Sequence, residues 1–431
     1  MIIRMDQGGY IETENDPAIT QTFIVRDMGR FMAMEYAPVQ SGAASRVAVI
    51  LMHCDQNYMG LQMGPALARR GYAVLAAQSM ESGPLEPKLR LLDGYVRYLR
   101  ARPDIDTIVL MGHSGGATLM TAYQAIAENG PQIYQRPDMV YQTPLQDKLA
   151  PADGIMLIDA NYGNGVMSLL SLDPAVLEEG NGMKLDPAFD IFDPANGYDK
   201  NGAHYLPEFQ KRYWAAQKKR NDALIAKAQQ RLALIEAGKG CYIDDEPFPI
   251  TAADQPKPNN RMLPEDLRLL SHTRGEYDLL HGDGHITHEQ IRCVRTPEID
   301  RSFSNTYGMG VNKNTVRGFL SAQALRTTED FAVREDGITG VEWNSSYASP
   351  IGNIEGISVP ALFMGMTGSY EYLASEMIWD HAKMKDKTIA FVQGATHMFF
   401  PNREAEKTPG EFGDTENALY DYMAGWLKKF M

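Results

Sequence analysis

Cysteine is scarce in this chain. Its three residues, Cys54, Cys241 and Cys293, are odd in number and widely spaced over 431 positions, which excludes a disulfide framework and fits a reducing compartment. Long apolar runs are missing too. The N-terminus from Met1 to Tyr10 holds no apolar stretch of the kind a secretory signal needs, and no run of about 18 apolar residues occurs anywhere. A cytoplasmic chain with no membrane partner is therefore expected. Positive charge is in deficit: 41 Lys and Arg face 55 Asp and Glu, leaving −14. That balance argues against nucleic acid or an anionic surface as partner and otherwise serves solubility.

Core material, in contrast, is ample, at 44% hydrophobic against 22% charged. The length calls for one large domain with an insertion, or for two domains. Thr22–Val25 and Phe31–Tyr36 alternate across Met28-Gly29 and predict an N-terminal hairpin. Val47–Met52, Tyr72–Ala77, Thr107–Met111 and Gly154–Ile158 are short apolar runs, suited to strands buried on both faces. Helices are expected between them at Met63–Arg70, Pro87–Arg100 (Leu89, Leu92, Val96 and Leu99 on one face) and Gly115–Glu128. Late in the chain, strands at Ser358–Met364 and Thr388–Val392 alternate with helices at Glu371–Met384 and Thr415–Phe430. Such alternation specifies an α/β fold, a mostly parallel sheet with helices on both faces, whose ligands sit beyond the carboxyl ends of the strands.

The rhythm breaks between Asn161 and Gly356. The expected division is a first core part at 1–160, a mainly helical or irregular cap at 161–356 and a second core part at 357–431. The cap holds a loop stretch rich in Asp, Asn and Gly (Asp186–Gly202), a charged helix at Pro207–Ala237, a linker at Phe248–Arg261 and a hairpin about His281–His285. Insertions of this size are usually lids over a site; an interaction domain unrelated to catalysis is the alternative. Its aromatics Tyr205, Phe209, Tyr213 and Trp214 are candidates for an apolar pocket. His281, His285 and His288 are closely spaced, but Gly282 and Gly284 favour a turn and no Cys or carboxylate set completes a ligand group. Neither a metal nor another cofactor is expected.

Gly112-His113-Ser114-Gly115-Gly116 carries the chemistry. A nucleophilic serine on a sharp strand-to-helix turn needs small residues two positions away on either side, and the following N–H then points at a developing oxyanion. Gly-x-Ser-x-Gly alone is a weak signal. Here an apolar strand precedes it and a helix follows, although Ser114 would also serve as a helix N-cap.

With these elements in place, the chain resembles the α/β-hydrolase-fold enzymes with a large cap inserted after the sixth strand. The resemblance covers about Thr22–Asn161 and Ile357–Met431 and rests on Val47–Cys54, Gly112–Gly116, Val359–Gly365 and Val392–His397. It implies Ser114 as nucleophile and His397 as general base. It places the acid past the seventh strand, where Glu371 is the first carboxylate; Asp159, at the end of the sixth, is the rival. The oxyanion hole would join the Gly115 N–H to one from Cys54 or Asp55, in a loop where the family often has His-Gly and this chain has His53-Cys54. His53, Tyr58, His113 and Trp214 are pocket candidates. The implied activity is a cofactor-free serine hydrolase acting on a small-molecule carboxylic ester, bulky or lactone-like ones included. C–C or amide cleavage by the same triad is one alternative; a non-catalytic binding protein is another. Nothing in the sequence specifies an oligomeric state.

Overall fold

Ten strands pair into one sheet. Numbered along the chain they are β1 (Ile19–Arg26), β2 (Phe31–Pro38), β3 (Val47–Leu51), β4 (Ala73–Ala77), β5 (Thr107–Ser114), β6 (Gly154–Ala160), β7 (His272–Leu280), β8 (Ile286–Arg292), β9 (Ala361–Met366) and β10 (Lys387–Val392). The computed structural model describes residues 2–6, 9–13, 16–26, 31–79, 83–180, 184–253, 260–297 and 311–431. The turn expected at Met28-Gly29 and the middle of the Phe248–Arg261 linker lie outside the described residues. In space the strands run β8-β7-β10-β9-β6-β5-β3-β4-β2-β1. Every pairing from β7 to β4 is parallel, and β8, β2 and β1 add antiparallel pairings at the two edges.

The central strands are apolar throughout because both their faces are covered. Successive side chains point to opposite faces of a strand. In β3, Ala48 and Ile50 join one buried cluster while Val49 and Leu51 join the other. Helices α2 (Leu85–Arg100), α3 (Gly116–Asn129) and α8 (Leu373–His381) supply the first cluster, through residues such as Leu92, Ile126 and Ile378. Helices α1 (Met63–Arg69) and α9 (Thr415–Leu427) supply the second through Leu67, Leu419 and Met423. Consecutive β3 and β4 sit to one side of β5, while β6 lies on its other side. The chain thus changes direction across the sheet at β3 and β5, and it is beyond the carboxyl ends of such strands that open α/β sheets bind their ligands.

The inserted segment contains α4 (Asn164–Ser171), the 30-residue α5 (Pro207–Glu236), α6 (Val316–Ala322) and α7 (Pro350–Asn353). One expectation needs correcting. Residues 272–292, assigned to the cap, form β7 and β8 and extend the main sheet beyond β10. The outer edge of a last parallel strand carries unpaired N–H and C=O groups, and a hairpin laid against it satisfies them. The hairpin turn itself falls at His281–His285, as the glycines require. Among the described residues, no helix is long and apolar enough to cross a membrane.

Candidate active site

Ser114 ends β5 with φ of 54°, in the left-handed region that a non-glycine residue rarely occupies. The flanking glycines make this turn sterically possible. A Cβ on Gly112 would stand 2.8 Å from the Ala117 nitrogen, and one on Gly116 would stand 2.8 Å from the Met52 carbonyl oxygen. Helix α3 begins at Gly116. The adjacent strand is distorted at the same level. His113 pairs with Ile158 but Ser114 pairs with Ala160, so Asp159 is the extra residue of a β-bulge, with φ of 41°. Bulges re-aim a side chain beside functional sites, and here the bulge turns Asp159 toward the loop after β10.

That loop carries His397. It is a tight turn closed by hydrogen bonds from Thr396 N–H to the Phe400 carbonyl and from Phe399 N–H to the Thr396 carbonyl. His397 Nδ1 lies 2.6 Å from Asp159 Oδ2 and 2.9 Å from Glu371 Oε2. The two carboxylates that compete for one role in the sequence therefore meet at one nitrogen. Nδ1 has a single hydrogen to give; Asp159 is the nearer acceptor, and its other oxygen accepts from the Met366 N–H at 2.8 Å. Ser114 and Asp159 lie at the carboxyl ends of β5 and β6, and Glu371 and His397 stand past those of β9 and β10, all at one edge of the sheet. The strand order completes the picture: two antiparallel-paired strands at one edge, then a parallel series with β3 and β4 exchanged, an elbow after β5 and a histidine loop after the last parallel strand. The fold is that of the α/β-hydrolases.

No protein-family model matches this sequence, and no curated protein matches it. Among solved structures, the chain is similar to a hypothetical protein of Pseudomonas aeruginosa, at 12% identity and a TM-score of 0.42 over 100% of both chains. It is similar to esterase B of Lactobacillus Rhamnosis, at 10% identity and a TM-score of 0.42 over 97% of this chain and 89% of that one. Carboxyl esterase 2 of Tuber melanosporum, at 12% identity, gives a TM-score of 0.39 over 99% and 90%. The strand order, rather than these likenesses, carries the fold.

Electrostatics around this α/β-hydrolase edge are strong. Burial alone would push the His397 pKa down, but the Glu371 charge and the Asp159 hydrogen bond outweigh it and hold the imidazole at about 9. Burial drives Asp159 the other way for a carboxyl, up to about 6, against the pull of His397. His113 is buried and neutral: burial first, then the His397 charge, press its pKa well below the usual value. Its Nε2 stands 2.8 Å from the His397 carbonyl oxygen, which can only accept, so Nε2 carries the hydrogen. Nδ1 is then an acceptor and receives the Tyr58 hydroxyl at 2.8 Å. Tyr58 in turn stacks on His53 at 4.8 Å. A row of rings thus runs from the loop after β3 to the backbone of the His397 turn.

His53 and Cys54 begin the loop after β3. A Cβ on Gly115 would stand 3.0 Å from Cys54 Sγ and 3.1 Å from His53 Cε1, which sets this loop beside the elbow. Asn164, at the start of α4, donates to Cys54 Sγ at 2.9 Å. His53 Nδ1 lies 2.7 Å from Asp55 Oδ1, and the Asp55 N–H is aimed at the same nitrogen. Those two contacts are alternatives, since one nitrogen cannot donate and accept at once. Burial opposes a charged His53, yet Cys54 and the Asp55 carboxylate raise it to about 10, which selects the ion pair. His53–Cys54–Asp55 and Asp159–Glu371–His397 each bring three metal-ligand atoms within 4.8 Å. In both sets the histidine Nδ1 is already engaged by a carboxylate, an arrangement that suits an ion-paired imidazole better than an ion.

The remaining expected residues fall elsewhere. Trp214 is buried on α5, and Tyr205, Phe209 and Tyr213 stack on one another with ring centroids 5.7 and 5.6 Å apart. These aromatics build the interior of the inserted segment. The bridging part of His113 was not legible, because its partners are 55 and 284 residues away.

Proposed function

We propose that this protein is a serine hydrolase that cleaves a carboxylic ester through an acyl-enzyme. In this reading Ser114 Oγ attacks the ester carbonyl while His397 Nε2 takes its proton. His397 then returns the proton to the leaving alcohol, and water releases the acyl group by the same route. Asp159 orients the imidazole and Glu371 adds a second negative charge behind it. The oxyanion would meet the Gly115 N–H at the head of α3 and an N–H of Cys54 or Asp55 in the loop after β3. Ser114 Oγ makes no hydrogen bond to His397 within 3.5 Å, and such contacts often tighten only when substrate binds.

The observation that supports this reading most is the pairing of two strained residues on neighbouring strands, Ser114 and Asp159, with His397 held at Asp159. Backbone strain persists where the surrounding structure enforces it, and it clusters at reactive sites. The test is labelling by a fluorophosphonate probe together with turnover of an acyl-ester panel. Wild type is expected to label, and Ser114→Ala to neither label nor turn over, with a loss on the order of 10⁴-fold or more. Wild-type protein that stays unlabelled, or Ser114→Ala that keeps its esterase activity, refutes the reading.

A further inference from the structure

Helix α2 presents a buried stripe to the sheet through Leu92, Tyr95 and Leu99. One turn above Leu92 the same stripe holds Lys88, only 2% exposed. An ammonium group in such a place is normally paired, because burying a lone charge is costly. Among the described residues Lys88 has neither a hydrogen bond nor an ion pair within 4.0 Å. The charge it bears on is Asp55: burial works against that carboxylate, and His53 with Lys88 helps hold it ionised.

Position explains what this cation faces. Helix α2 follows β4, so its first turn stands at the same carboxyl edge of the sheet as Ser114 and the loop after β3. The inserted segment closes over that turn. Ser321 of α6 hydrogen-bonds the Glu86 carboxylate at 3.1 Å, and Tyr347 also donates to it. Glu86 is thereby engaged from above, and burial shifts it toward its neutral form. In the loop after β3 the Asp55 carboxylate is in contact with His53 at 2.7 Å, and Lys88 acts on that carboxylate only from a distance. Lys88 is thus without a contact partner of opposite charge among the described residues, under the inserted segment and at the edge of the sheet that carries the elbow.

We propose that Lys88 is a substrate anchor, and that the physiological ester carries an anionic group, a carboxylate, which completes this charge set when bound. The proposal rests on the serine-hydrolase reading and narrows its substrate class. A cation that no described residue pairs is explained by a ligand that supplies the partner charge.

Two matched ester pairs test it. On the acyl side, p-nitrophenyl valerate is compared with mono-p-nitrophenyl glutarate; on the alcohol side, phenyl acetate with 4-carboxyphenyl acetate. Wild type is expected to favour the charged member of at least one pair by about tenfold or more in kcat/KM. Lys88→Met should abolish that preference through KM and leave the neutral partner's kcat in place; Lys88→Arg should keep part of it. Lys88→Met should also raise Tm, since the lone charge is gone. The anchor is overturned if wild type discriminates in neither pair, if Lys88→Met lowers kcat on all four esters equally, or if it lowers Tm. The second outcome would make Lys88 a support for the oxyanion loop, and the third a structural ion pair with Asp55. Should the fluorophosphonate label Ser114 while no ester turns over, protection from labelling by glutarate but not glutaramide becomes the readout, and equal protection overturns the anchor. A protein that does not label at all refutes the serine-hydrolase reading itself.

Discussion

The carboxyl edge of the sheet and the inserted segment handle buried polarity in opposite ways. At the sheet edge, charges are crowded and shared. Two carboxylates meet one imidazole nitrogen, and one of them, Asp159, sits at positive φ on the strand beside the equally strained Ser114. In the insertion, the buried cation of Arg220 is met on several sides. Arg220 is buried on α5 and spreads its guanidinium over Glu179 at 2.6 Å, the Asp173 carbonyl at 2.8 Å and the Thr251 carbonyl at 2.6 Å. A saturated network specifies one packing; a crowded one shifts pKa values. The proposed reaction belongs with the second arrangement.

The largest effects should come from separating the two carboxylates. Asp159→Asn removes the nearer acceptor and leaves an amide that can present its NH₂ to Nδ1. We expect the plateau of kcat/KM to fall about 10²-fold or more, less than a complete loss of the acid because Glu371 remains. Glu371→Gln should act differently. In the proposed reaction His397 must be neutral to serve as base, so wild-type activity should rise with pH and level off above about 9. Taking away the Glu371 charge removes the foremost cause of that raised value, so the rising limb should move to lower pH with its plateau largely kept. Profiles of kcat/KM against pH decide the matter: a uniform loss in Glu371→Gln and a mere shift in Asp159→Asn would exchange the two roles.

The sequence carries one half of this contrast better than the other. Strands such as Val47–Leu51 and Gly154–Ala160 lie between two helical layers, so their apolar runs are visible without any partner. Ser114 and His397 follow from such strands by chain order. The choice between Asp159 and Glu371 does not, because it depends on a one-residue bulge in β6 that no composition signals. The hairpin 272–292 was hidden for a related reason: its sheet partner, β10, lies more than a hundred residues downstream. Lys88 was open to detection, as the one charge on an otherwise apolar stripe that includes Leu92 and Leu99.

A second experiment breaks the comparison from the side of the insertion. Arg220→Met leaves Glu179, the Asp173 carbonyl and the Thr251 carbonyl without their common donor. Loss of one member of a partly buried ion pair, discounted because about a third of Glu179 is exposed, should cost about 2 kcal/mol. Hydrogen exchange should report that loss in α4, α5 and their connections, while β3 and β5 keep their protection. If the central strands lose protection to the same degree, the two regions unfold together and their separation is only one of charge arrangement.

The smallest effect should come from Tyr58→Phe, which tests whether the ring row is mechanically tied to the base. The substitution deletes only the hydroxyl that donates to His113 Nδ1. The ring remains to stack on His53, and the unsatisfied Nδ1 should cost about 1–2 kcal/mol of stability. His113 then loses one of the two contacts that hold its ring, and only its Nε2 donation to the His397 carbonyl remains. A loosened His397 turn misplaces the base, so kcat should fall about tenfold with KM unchanged, since small misplacements of a catalytic group are expensive. The pH midpoint should stay where Asp159 and Glu371 set it. A Tyr58→Phe protein that is less stable but fully active would make Tyr58 a core residue and cut the link between the loop after β3 and the histidine turn. One that shifts the pH midpoint would mean that the rings act on the charge of His397, and not on where it sits.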